Sequence, residues 1–217
     1  MCSHGDGHGH GGCASDAVVF DYGEAEQQYN MNTYIVRDKV MVLNEEIEGT
    51  GVDVFKKWSD RLDKTKSVTS DVDEEILFNI PFSGHVKITG ITLIGEQNEM
   101  HPARVRIFRD RENMSFEDVT SGKPDQEMEL KMDSEAKIDY PLAAFKFSNI
   151  FNLTLHFPKN FGAEQTRIYY IGLRGTYQSD FRDKVVIATY EARAIPDDHK
   201  SSVPDQVHHD LCEMIKP

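Results

Sequence analysis

The chain's nine histidines, three cysteines and 37 acidic side chains are raw material for a nucleophile, an acid–base pair or a metal site, and spacing decides between them. A hydrolytic serine or cysteine needs a nearby histidine and an orienting acid. The strained elbow that presents such a serine reads Gly-x-Ser-x-Gly; no such run occurs, and Cys2, Cys13 and Cys212 all lie in terminal segments. Nucleophilic catalysis is not expected. Strand-borne metal sites use His-x-His with a carboxylate and a further histidine, but the only His-x-His here is His8-Gly9-His10, in a glycine-rich leader. His85, His101 and His156 stand singly and read as surface or hydrogen-bonded histidines. In the leader, His4, His8 and His10 with Cys2 and Cys13 could chelate zinc or copper through imidazole and thiolate ligands. Ordering some ten glycine-rich residues would oppose this by on the order of 10 kcal/mol. A disordered spacer is therefore the main expectation and metal binding the alternative.

Asp71, Asp73, Glu74 and Glu75 form the densest acidic cluster. A calcium loop wants a glycine at its sharp turn, which is missing, leaving a solvated turn that orders the following strand or a face for a basic partner surface. Gly49-Thr50-Gly51 lacks the further glycine and the preceding hydrophobic strand of a dinucleotide loop. Trp58, the only tryptophan, is expected to plug a long charged connection onto the core.

The elements that must position these residues follow from charge and periodicity. A formal charge of −13 repels polyanions, so nucleic acid and anionic membrane are disfavoured partners. The basic stretches around Lys56 to Lys66 and Arg104 to Arg111 are interleaved with acids and read as solvated faces. No apolar run approaches the ~18 residues that span a bilayer. Neither a signal peptide nor a C-x-x-C pair is seen, so a reducing compartment is expected and the sequons at Asn113 and Asn152 are chance matches.

Residues 33–44 fit neither a clean strand nor a clean helix and read as a short helix turning into a strand. Residues 76–80 read as a strand stopped by Pro81. Residues 85–94 form a second strand, broken at Gly90, and 103–109 a third. Residues 150–157 alternate Phe151, Leu153, Leu155 and Phe157 against Asn152, Thr154 and His156, a strand with one wet face. Residues 166–174 and 185–190 follow. Ser83-Gly84, Ser121 to Pro124, Asn160 to Gly162 and Arg174-Gly175 read as the turns between strands. Many short strands without interposed helices argue for an antiparallel sandwich or barrel. The domain is placed at 32–195, between a leader at 1–31 and an extended tail at 196–217, both disordered.

Four blocks then carry a resemblance: Ser70 through the acidic cluster to Phe82; Lys159 to Ala163 with Tyr170 to Gly175; Tyr190 to Ala194; and Asp197-Asp198-His199-Lys200. Together, over about residues 32–200, they resemble the PITH (proteasome-interacting, thioredoxin-family) domain, here in its stand-alone form. Thr176 stands where an acid or aromatic is more usual. The resemblance implies an all-β jelly-roll β-sandwich similar to galactose-binding and discoidin-like domains. It is found at the C-terminus of a thioredoxin-like protein associated with the 26S proteasome; the thioredoxin half and its redox cysteines are absent here. It further implies a monomeric, non-catalytic module without cofactor, cytoplasmic and nuclear, whose partner is the proteasome regulatory particle. Contacts are expected at Asp71, Asp73, Glu74, Glu75, Asp197, Asp198 and His199. The alternatives are a carbohydrate- or small-ligand-binding jelly roll, with Tyr169, Tyr170 and Tyr177 as the aromatic platform, and a metal-responsive protein acting through the leader.

Overall fold

The computed structural model describes residues 28–180; His4, His8, His10, Asp197, Asp198, His199, the three cysteines and the expected strand at 185–190 lie outside the described residues. Two 3-10 turns, Met31–Tyr34 and Arg37–Lys39, lead into β1 (Met41–Leu43), as the mixed period of 33–44 suggested. β2 (Val68–Thr69), β3 (Ile76–Gly95), β4 (Arg104–Arg109), α1 (Phe116–Ser121), β5 (Gln126–Glu129), β6 (Tyr140–Pro141), β7 (Ile150–Phe157) and β8 (Arg167–Asp180) follow. All pairings are antiparallel, in the order β2-β8-β3-β7-β4-β5, with β1 and β6 also on β3.

β3 serves both layers of the sandwich. Its first part lies between β1 (Met41 opposite Asn79) and β7 (Thr154 opposite Asn79), and its second part pairs with β8 from Gly84 to Gly95. The β7 register breaks between Pro81 and Val86, where the strand passes from one layer to the other. Phe78, Ile80, Ile88, Ile91, Ile107, Leu155 and Leu173 meet in the shared core. Pro81 therefore does not stop the strand. It sits at the last β7 pair before the break, where a missing N–H costs the ladder little, and its carbonyl accepts from Val36 N at 3.0 Å.

Two glycines expected in turns lie inside strands instead. A Cβ on Gly84 would come within 2.5 Å of the Ser179 carbonyl oxygen, and one on Gly175 within 2.2 Å of that of Lys87. Glycine is present there because the β3 and β8 backbones approach too closely for a side chain.

The wet face expected on β7 is dry. Asn152, Thr154 and His156 are all buried, because the chain after β4 turns at Asp110 and Asn113, both with φ of 52°, and folds α1 across them. The Ser115/Asp118 capping box starts that short helix. Leu77, Phe108, Met114 and Val119 then form a satellite cluster outside the sheet. Asn79 clamps this cover, donating to Met114 O at 3.0 Å and accepting from Met114 N at 3.1 Å. On the other layer, Tyr29, Trp58, Ile94, Ala136, Tyr169 and Tyr170 form a second cluster. Trp58 stacks on Tyr29 at 4.8 Å and carries Arg61 over its ring at 4.2 Å, so it is the expected plug. Tyr29 and Met31, in the stretch read as leader, are buried.

Candidate functional site

The acidic turn projects from the end of the sandwich where β3 and β8 begin and β7 ends, and one residue builds it. Asn44, just past β1, adopts a left-handed backbone (φ 65°) that its short polar side chain tolerates. Its amide nitrogen donates to Asp73 Oδ1 at 2.8 Å and Glu75 O at 2.6 Å, and its oxygen accepts from Val72 N at 3.1 Å. Asp73 Oδ1 also accepts from Glu75 N at 3.0 Å. From the opposite side Thr166 donates to Glu74 O at 2.6 Å, and Gln165 donates to Asp71 O at 3.4 Å. A turn held from both sides has little conformational entropy left to lose on binding.

The four predicted acids divide into two kinds. Asp73 is occupied by the turn, and Glu75 meets His156 Nε2 at 2.5 Å. Burial and the neighbouring carboxylates of Asp73 and Glu74 push the Glu75 carboxyl up. Burial, then the charge of Arg106, pushes the His156 imidazolium down to about 4. His156 Nδ1 has no partner, which fits a neutral ring whose Nε2–H donates to Glu75, since an unpaired ring lone pair costs less than a buried unpaired N–H. His156 is 1% exposed, out of reach of a substrate, so the pair is structural. Asp71 and Glu74, in contrast, make no side-chain hydrogen bond or ion pair among the described residues and remain available.

Apolar side chains stand out among these carboxylates. Val72 is 84% exposed at the tip of the turn, and Ile47 is 64% exposed in the neighbouring loop, which carries Glu46 and Glu48 and is tied to the turn's base by Glu46 N donating to Thr69 O at 2.9 Å. Glu45 belongs to the interior of that loop: its two carboxylate oxygens accept from Gly49 N and Gly51 N, each at 2.7 Å. The Gly-x-Gly run thus wraps an internal anion, so its N–H groups are not available to a phosphate.

The remaining candidates are structural. His101 Nε2 accepts from Asp133 N at 3.1 Å while Nδ1 faces Pro102 O at 2.8 Å, and burial holds the ring's pKa down. Asp133 accepts from Glu135 N and Ile138 N. Among the described residues no group of three His, Cys, Asp or Glu is placed to hold a metal ion. Tyr169 and Tyr170 are buried and Tyr177 stacks on Tyr34 at 4.4 Å, so these three tyrosines form no open platform. Sequence reading missed Asn44, which carries no pattern of its own, and Ile47 and Val72, whose exposure only the loops' placement reveals.

A family model described as the PITH domain matches residues 21–194. A PITH domain-containing protein of Caenorhabditis elegans is 49% identical over 207 residues, 95% of this chain and 98% of that protein. PITH domain-containing protein 1 of Homo sapiens is 42% identical over 208 residues, again 95% and 98% of the two chains. Among solved structures, the C-terminal domain of a chitobiase from Bacteroides fragilis aligns with a TM-score of 0.46 at 16% identity, covering 67% of this chain and 99% of that one.

Proposed function

Because the chain belongs to the PITH domain family, we propose that it is a non-catalytic protein-interaction module that associates with the 26S proteasome, through its regulatory particle, in cytoplasm and nucleus. The observation that carries this reading is the turn at 71–75. It is an ordered projection, pinned by Asn44 and Thr166, that presents an exposed valine between two available carboxylates, with Ile47 beside it. Exposed apolar groups ringed by charge are the usual make-up of a docking patch. The sign of the charge selects a basic partner surface and speeds encounter with it. The module acts as a monomer, with the tail residues Asp197, Asp198 and His199 adding contacts.

Affinity purification of the full-length chain from cytosolic and nuclear extracts, followed by mass spectrometry, tests this. Regulatory-particle subunits should be recovered. Asp71→Lys combined with Glu74→Lys should lower that recovery at least tenfold without changing the thermal midpoint, because neither side chain supports the turn. A salt-resistant pull-down containing none of those subunits would remove the reading.

A further inference from the structure

We draw no further inference here: the strongest candidate, the exposed apolar side chains of Ile47 and Val72 among the carboxylates at the acidic-turn end of the sandwich, belongs to the site already described, and nothing in the structure shows what covers it.

Discussion

At His156 the fold encloses an imidazole that the sequence alternation directs to water. Burial holds its pKa near 4, against an ordinary value of 6.5. The unfolded chain therefore takes up a proton first as the pH falls, and stability declines from about pH 6.5 through about pH 4. His101, also lowered, acts in the same direction. Glu75, raised, acts in the opposite one, because the unfolded chain loses that proton first as the pH rises. The histidine effect is the larger, and a net loss of about 1–2 kcal/mol between pH 7 and pH 5 is expected. Urea unfolding at a series of pH values would measure it, and His156→Gln should flatten the slope. A slope unchanged in that variant would place the titration elsewhere.

Among the elements, the β3–β8 ladder tolerates the least change. Register shifts fall at three points along it, and at Gly175 the β3 carbonyl of Lys87 lies where a Cβ would be. Backbone on both sides leaves no flexible group to give way. Gly175→Ala should therefore destabilise by about 1–3 kcal/mol, the usual range for overpacking, with a lower urea midpoint and an unchanged m-value. At Gly172 an added Cβ meets the Thr92 methyl and the Tyr170 hydroxyl, side-chain atoms that can move, so Gly172→Ala should cost less. Equal losses at the two sites would contradict the distinction between backbone and side-chain contact.

For the molecule as a whole, β3 is the physical reason the two layers cannot melt apart. Its 20 residues supply hydrogen-bonded neighbours to β1 and β7 in one layer and to β6 and β8 in the other. Trp58, the single tryptophan, reports on the outer face of one layer, and the His156 ring on that of the other. Denaturant titrations followed by tryptophan fluorescence and by the His156 ring proton resonances should give coincident midpoints, the mark of a cooperative transition. Separated midpoints would mean that β3 does not couple the layers.

Much of this was legible in the amino-acid order because a strand half-buried in a sandwich must alternate. Leu153, Leu155 and Phe157, or Val105 and Ile107, give away a core face by spacing alone, and four ordered blocks suffice to mark the family. What alternation cannot reveal is whether the second face of a strand meets water or more protein. Thr154 and His156 are dry because a six-residue helix happens to fold back over them, and Gly84 and Gly175 mimic turn residues because two backbones meet there. The burial of Asn152, the pinning role of Asn44 and the exposure of Val72 depend on contacts between segments distant in the chain. Only the tertiary structure decided those, because burial and hydrogen-bond satisfaction belong to an environment and not to a residue type.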